Sequence, residues 1–535
     1  MRRVQGKISI ILSKEIFMKS FKLKTFVSIL AFASLSSISF ATQVVDTEIV
    51  IVGGGLSGVA AAAKAVELGK KPVLLEKTAI LGGAGNFPEG SLGLGTKYQK
   101  EHGITWDIQK NIDRFLDFNH YRTNPAVIRQ LIGKSGETID WVVDKGVEIR
   151  GIRTLWPQGE SYNCWHLFKG GASTVISKLS DQIKAQGGQI LMQTPAQKLI
   201  TKDGKVVGIE AVNSKTGEKY IINAKKVILA TGGFAANKGM IEKYVTDSSD
   251  LSVSEPIRLR SAAGDGRTGD GINMAVKVGA AMAGMENVVG NAPYLPHEPL
   301  INQFNGDTYL KHGRCALVQP WLWVDRNGER FYNESRGSLF TDVYAAMTQA
   351  GGLMYTILDQ KKYDRLINEG ALIPFNAIVP IGTKLTELPK TFEVGMKNGW
   401  AFKADTIDDL ALQIGVPAEN LKKTMKQLNE YAANKKDPDF GRKPEYLESF
   451  DLNKGPYFAL KGIRTYFLTL GGVRINKDFQ ALNAQGDVIP NLYVVGADMG
   501  GLFESTDDLK VEGATSSFAL TSGRLAAEKA VQALN

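Results

Sequence analysis

Cysteine is almost missing from this chain: Cys164 and Cys315 are the only two in 535 residues. That excludes a disulfide framework, and without a C-x-x-C-H motif there is no place to attach haem covalently. Histidine is equally scarce. His102, His120, His166, His297 and His312 are the full set, and no pair has metal-ligand spacing. A metalloenzyme and a Ser-His-Asp hydrolase are therefore poorly supported. Charge is not concentrated either. The formal net charge is +9, but Lys and Arg are spread along the chain with no run interleaved with aromatics. This argues for a basic surface weakly attractive to acidic partners, and against nucleic-acid binding. A hydrophobic content of 43% with 22% charged residues is that of an ordinary globular protein, and the length suits two or three domains around a large core. Internal repeats and low-complexity linkers are also lacking.

Long apolar runs are absent beyond the N-terminus, so no stable membrane span is expected in the rest of the chain. The N-terminus itself is informative. "MKSFKLKTFVSILAFASLSSISFATQ" starts at Met18 with a basic stretch (Lys19, Lys22, Lys24), continues as an apolar, Ser-rich segment from Phe26, and ends in the small-x-small triplet Ser39-Phe40-Ala41. This pattern predicts a secretory signal peptide cleaved near Ala41, with the mature chain beginning at Thr42 in the periplasm. Residues 1–17 read as an upstream extension or a misplaced start. Arg2-Arg3 lacks the context of a twin-Arg signal. The competing reading is an N-terminal membrane anchor.

Glycine is what the chain has in quantity, 57 residues, more than the usual share of about 7%, and it is clustered in loops. In "TEIVIVGGGLSGVAAAAKAVELGKKPVLLEK", residues 47–77, a β-branched run from Glu48 to Val52 meets a G-x-G-x-x-G at Gly53, Gly55 and Gly58. A small-residue helix follows from Ala60 to Leu68, Gly69 ends it, and a second strand from Pro72 to Leu75 leads to Glu76. The first glycine makes the tight turn, the second lets backbone approach a pyrophosphate, and the third lets helix pack on strand. The helix N-terminus offers free N–H groups to phosphates, and Glu76 stands where a carboxylate accepts ribose hydroxyls. A glycine-rich turn with no ligand is the bland alternative.

Further along, "LGGAGNFPEGSLGLGT" (81–96) is a second Gly-rich loop, 105–146 reads as amphipathic helices, 170–200 as helix then strand, and 205–237 as a β-meander ending in "KVILATGG". "GDGRTGDGINMAVKVGAAM" (264–282) is a Gly turn opening a helix. From about 295 to 465 the chain is richer in aromatics and poorer in such turns, and from 466 the first texture returns. The expected architecture is α/β. A Rossmann-like nucleotide-binding domain with a parallel sheet and a β-meander (42–294 and 466–535) is interrupted by an α+β capping domain (295–465), after a signal segment and extension (1–41).

The motifs "VGGGLSG…LLEK", "LGGAGN", "ILATGGF", "TGDGINMA", "DRNGERFYNE", "LTLGGV", "NLYVVGAD" and "TSGRLAAE", in this order, resemble the flavoprotein family of fumarate reductases, succinate dehydrogenases and 3-ketosteroid dehydrogenases. The resemblance implies FAD, a mobile cap and redox chemistry at flavin N5. It implies that Gly53, Gly55 and Gly58, with Leu56 and Ser57 between them, meet the pyrophosphate, and that Glu76, followed by Lys77, meets the adenosine ribose. Gly82, Gly83 and Asn86 would line the path to the flavin, and Ala196 would hold the adenine side through backbone bonds. Thr231, Gly232, Asp270, Gly496, Ala497 and Asp498 are further implied contacts. Gly513, Ser516 and Ser517 mark a helix N-terminus at the flavin pyrimidine edge, where it would stabilise a reduced flavin's negative charge. Loop 89–91, with Gly90 and Ser91, has no His where some relatives attach FAD, so binding is expected to be non-covalent. His166 corresponds to a residue near the FAD, or simply anchors a loop.

The carboxylate clamps of the family's dicarboxylate reductases carry over poorly. Asn291 in "VVGNAPYLP" stands for one His, Leu468 in "FLTLGG" for another, and Lys510 in "LKVEGAT" for an Arg. Leu donates no hydrogen bond, and Lys supplies charge without the bidentate fork. Arg336 in "NGERFYNESRG" resembles the proton-donating Arg, two residues nearer the motif than expected. Arg314, Arg464 and Tyr466 are the other catalytic candidates, each with an ordinary structural alternative. Leu468, Phe467 and Phe503 replace polar positions, and Trp321, Trp323 and Tyr332 lie near the implied active-site strand or in the core. The expected substrate is an α,β-unsaturated carboxylate (an enoate) with a bulky or aryl tail, reduced at its C=C bond, rather than fumarate. Electrons would come from a separate cytochrome or quinol-linked donor. The alternatives are a dehydrogenase desaturating a ketone or steroid-like substrate, and a flavin electron carrier.

Overall fold

The strand that leads into the first glycine loop, Gln43–Val52, buries its last four residues, Ile49, Val50, Ile51 and Val52. A strand apolar on both faces belongs in the middle of a parallel sheet, and that is its place in this computed structural model, which describes residues 42–153, 163–245, 258–259, 266–297, 307–375, 378–507 and 511–535. The expected signal segment, 1–41, lies outside the described residues. Gln43–Val52 pairs in parallel with Val73–Leu75 on one side and Lys219–Leu229 on the other. Gln189–Leu191 and Val488–Val494 extend the parallel sheet outward. Antiparallel strands finish its eight-stranded form: Gln480–Leu482 at one edge, and the hairpin of Ala196–Lys202 with Lys205–Val212. The fold class is the expected mixed α/β one, with a parallel sheet and meander.

Helix Leu56–Glu67 crosses between the first two strands and packs on the C-terminal helix, Ala514–Gln532. Ala60 to Ala63 are wholly buried, and their small side chains let the backbones come close. At Gly523 a Cβ would lie 2.1 Å from the Ser57 carbonyl oxygen, so only glycine permits this crossing.

A second sheet of six strands is organised by one long strand, Tyr457–Thr469. Val288–Tyr294, Leu353–Asp359 and Ala401–Ala404 pair with it antiparallel, and Arg258–Leu259 in parallel. Around this sheet Trp321, Trp323 and Trp400 are fully buried, and Tyr332 stacks on Trp323 with ring centroids 6.0 Å apart. The three tryptophans are core, and the partly buried Tyr332 packs against it. The "GERFYNESR" segment is held by a buried ionic knot: Glu334 accepts from Arg330 at 2.8 and 2.9 Å and from Arg442 at 3.0 Å, and Arg330 also bonds Asp437.

A small three-stranded sheet, Gly90–Leu92, Ile149–Arg153 and Trp165–Phe168, contains His166. Its ring is completely buried. Nδ1 lies 3.1 Å from the Cys164 carbonyl, which accepts, so Nε2 is the acceptor for the Thr96 hydroxyl at 2.8 Å. His166 therefore anchors the loop. Burial pushes its pKa down to about 4, below the ordinary value near 6.5. Between these values the unfolded chain binds more protons than the folded one, so this contribution to stability is complete above about pH 6.5 and is lost as pH falls to 4. The loss at the acid end is about 3 kcal/mol. Denaturant titrations between pH 4 and 7 should show this slope, and His166→Gln should flatten it; an unchanged slope would contradict the assignment.

Candidate functional site

The glycine loops of the first sheet and the end of the long strand enclose one cavity of about 820 Å³, large among small-molecule sites. Two helices begin at its wall. Helix Leu56–Glu67 starts after Gly55 with no side-chain cap, and its first intrahelical bond from this end is Val59 N–H to the Gly55 carbonyl. The N–H groups of Leu56 and Ser57, both in the wall, are left for a ligand. The C-terminal helix starts after Gly513, again uncapped, with Ser517 N–H donating to the Gly513 carbonyl. Thr515 and Ser516 line the cavity. Two uncapped N-termini in one chamber make two positive poles, suited to an elongated ligand with a pyrophosphate at one place and an electron-accepting ring at another.

The three motif glycines have separate tasks. A Cβ at Gly53 would meet the Ala230 oxygen at 2.3 Å, and one at Gly58 the Gly53 oxygen at 1.8 Å. These two allow strand, loop and helix to touch. Gly55 is different: its Cβ would have only the Gly82 oxygen near it, at 3.8 Å, so this glycine keeps space open toward the cavity. Glu76 lines the wall, with Oε2 accepting from Gly54 N–H at 2.8 Å and Oε1 from Thr78 N–H at 2.7 Å. Each oxygen keeps a lone pair for a further donor. Lys77 and Asp270 are also in the wall, paired with each other at 2.7 Å. Gly82, Gly83, Asn86, Gly90, Ala196, Thr231, Gly232, Gly496, Ala497 and Gly513 line the same cavity.

Gly58, Ser91, Asp498 and Ser517 are behind the wall rather than in it. Ser91 is buried in the strand paired with His166. Asp498 is fully buried and serves as a clasp: it accepts from Thr231 N–H at 2.5 Å, from the Thr231 hydroxyl at 2.8 Å and from Gly233 N–H at 2.8 Å. Burial raises its pKa, against the effect of these donors.

Of the catalytic candidates, Asn291 alone among the described residues lines the cavity. Buried Arg314 donates to its Oδ1 at 2.8 Å and to the Pro293 carbonyl at 3.2 Å, with the guanidinium 3.3 Å over the Tyr294 ring. An arginine only donates, so the Asn291 amide oxygen faces Arg314 and its NH2 remains a donor. Arg464 is buried and bonds Thr348 at 2.8 Å. Tyr466 donates to the Ala235 carbonyl at 3.0 Å, and burial pushes its pKa up to about 12. Arg336 is half exposed and paired with Asp342 at 2.8 Å. Lys510 lies outside the described residues. One cavity-lining cation was not among the candidates: Arg267, in "GDGRTGDG", which is buried and donates to the Phe467 carbonyl. Its setting between two Gly-Asp-Gly turns marks a helix start, and nothing in that pattern reveals where the side chain goes. Phe340, Phe467, Leu468, Leu502 and Phe503 give the cavity an apolar, aromatic section.

The chain is similar to known flavin-dependent proteins. Residues 48–510 match the FAD binding domain family. A vinyl phenol reductase of Lactiplantibacillus plantarum is 30% identical over 497 residues, spanning 91% of this chain and 96% of the relative. A cytochrome-type fumarate reductase of Shewanella frigidimarina is 27% identical over 493 residues, spanning 91% and 77%. The crystal structure of a 3-ketosteroid-Δ4-(5α)-dehydrogenase from Rhodococcus jostii RHA1 has the same fold, with a TM-score of 0.69 at 23% identity over 93% of this chain and 98% of that one.

The glycine geometry generates a test. Gly55→Ala should leave the apoprotein's thermal stability nearly unchanged but weaken FAD binding at least about tenfold, because the added methyl enters only ligand space. Equilibrium dialysis and thermal unfolding measure the two effects; equal FAD affinity in both proteins would refute it.

Proposed function

This chain belongs to the FAD-dependent fumarate reductase–succinate dehydrogenase flavoprotein family, and from that premise we propose that it reduces the C=C bond of an aryl-substituted alkene bearing one acidic oxygen. That it is an FAD-dependent oxidoreductase acting on C=C bonds follows from the family and its relatives. The substrate class is our reading, and the apolar section formed by Phe340, Phe467, Leu468, Leu502 and Phe503 carries it. A dicarboxylate needs a polar donor at each end, whereas this wall favours a ring or branched tail by burying it. An aryl acrylate fits the reading. So does a vinyl phenol, favoured by the relative of that activity that matches along nearly its whole length.

Bound non-covalently, FAD supplies the hydride chemistry. The chain's own residues do the rest. Phe467, Leu468 and Phe503 exclude water and hold the tail. Arg314 fixes the Asn291 side chain so that its amide donates into the cavity. Residues 295–465 act as a cap over the FAD-binding part, a reading supported by the second sheet, most of whose strands come from this segment. The two cysteines, Cys164 and Cys315, are both buried and too few to ligate an iron–sulfur cluster, which supports the reading that electrons come from a separate cytochrome or quinol-linked donor. The basic start and apolar, Ser-rich continuation of residues 18–41 support a signal segment cleaved near Ala41 and a mature protein in the periplasm. Among the described residues no helix is long and apolar enough to cross a membrane.

Two measurements test this. Anaerobic protein reduced with viologen should be reoxidised by aryl acrylates or vinyl phenols at least about tenfold faster than by fumarate. Fast turnover of fumarate, or reduction of the oxidised flavin by a ketone, would overturn the reading. Acid precipitation should leave all of the FAD in the supernatant; flavin retained in the pellet would show a covalent link.

A further inference from the structure

Among the described residues, the cavity wall holds two cations, Lys77 and Arg267. Lys77 is already paired with Asp270 at 2.7 Å. Arg267 is not matched in this way. It is 4% exposed, and among the described residues its bond goes to the uncharged Phe467 carbonyl and its Nε has no hydrogen-bond partner. No carboxylate among the described residues lies within ion-pair distance. Two other buried guanidinium groups, Arg330 and Arg442, share the carboxylate of Glu334 as counter-ion. A buried charge without a partner is costly, so the missing anion at Arg267 is best sought in a ligand.

Its location narrows which ligand. The Arg267 stem lies along Gly232, where a Cβ would be 3.4 Å from its Cγ. Its acceptor, Phe467, adjoins Leu468 in the apolar section of the wall. Asn291 pairs with Thr465 on the same strand, two residues from Phe467, or about 7 Å along it. The phosphates of a dinucleotide have their own donors at Leu56 and Ser57. We propose that Arg267 is the receptor for the substrate's acidic oxygen, a carboxylate or a phenolate, and thereby sets which end of the alkene enters the apolar section. This rests on the reading of the cavity as a site for a C=C substrate. Burial lowers the guanidinium pKa to about 10, which leaves the group charged at neutral pH.

The test uses the FAD-loaded full chain and the variants Arg267→Met and Arg267→Lys. Binding of 3-phenylpropionate, its methyl ester, 4-ethylphenol and succinate is followed by the perturbation of flavin absorbance, and FAD content is measured alongside. Arg267→Met should weaken binding of one acidic ligand about 50-fold or more, leave the neutral ester unchanged, and be partly rescued by Arg267→Lys. Whether phenylpropionate or ethylphenol shows the loss identifies the source of the oxygen. If succinate alone shows it, the aryl reading falls and the role of Arg267 stands. Equal losses for acid and ester would mean packing only. Loss of FAD with unchanged acid binding would assign Arg267 to the cofactor. Failure of the wild-type protein to bind any acid would remove the basis for a receptor. Each of these last three outcomes overturns the proposal.

Discussion

The carboxylate of Asp498 is the point on which the site's geometry depends. It collects Thr231 N–H, the Thr231 hydroxyl and Gly233 N–H, and the same hydroxyl oxygen accepts from Gly271 N–H at 2.9 Å. Three glycine-rich loops, far apart in sequence, are thereby joined through one buried acid. Glycine loops have little side-chain packing of their own, and backbone N–H groups buried without an acceptor would be costly. A single acceptor with several lone pairs resolves both problems. Thr469 adds to the clasp, its hydroxyl accepting from Phe234 N–H at 3.1 Å, so the end of the long strand is tied to the first sheet at the same place.

From that fixed junction the electrostatics of the cavity follow. Two helix N-termini, at Leu56 and Ala514, point positive poles into it without side-chain caps. Capping residues would satisfy these N–H groups internally; glycine at both cap positions leaves them to a ligand. The buried arginines are then of different kinds. Arg330 and Arg442 pair with Glu334, and Arg330 also with Asp437, tying the segment around 330–336 to that around 437–442. Arg314 holds Asn291, and Arg267 lines the cavity itself. Charge type alone does not distinguish these roles; the partner of each guanidinium does.

This separates what was legible in the sequence from what was not. Gly53, Gly55 and Gly58 could be read as a clamp because their spacing follows from local chain geometry: strand, turn and helix within a few residues. The family, the cofactor and the α/β class came from ordered motifs of that kind. The individual tasks of the glycines were less visible, since the contact of Gly58 with Gly53 and the open space at Gly55 depend on Cβ directions in the folded loop.

The sequence by itself determined where the glycine turns, the buried parallel strands and the small-residue helices lie, because each is set by backbone freedom and side-chain periodicity over short stretches. The tertiary structure alone decided which cations reach the cavity. Arg336 follows the family-like motif yet turns outward to Asp342, His166 retreats into a dry loop anchor, and Arg267, in an ordinary-looking turn, arrives beside Phe467 after about 200 intervening residues are folded away. A long side chain's destination is set by the partners and the burial that distant segments supply, and neither is written in the residues next to it.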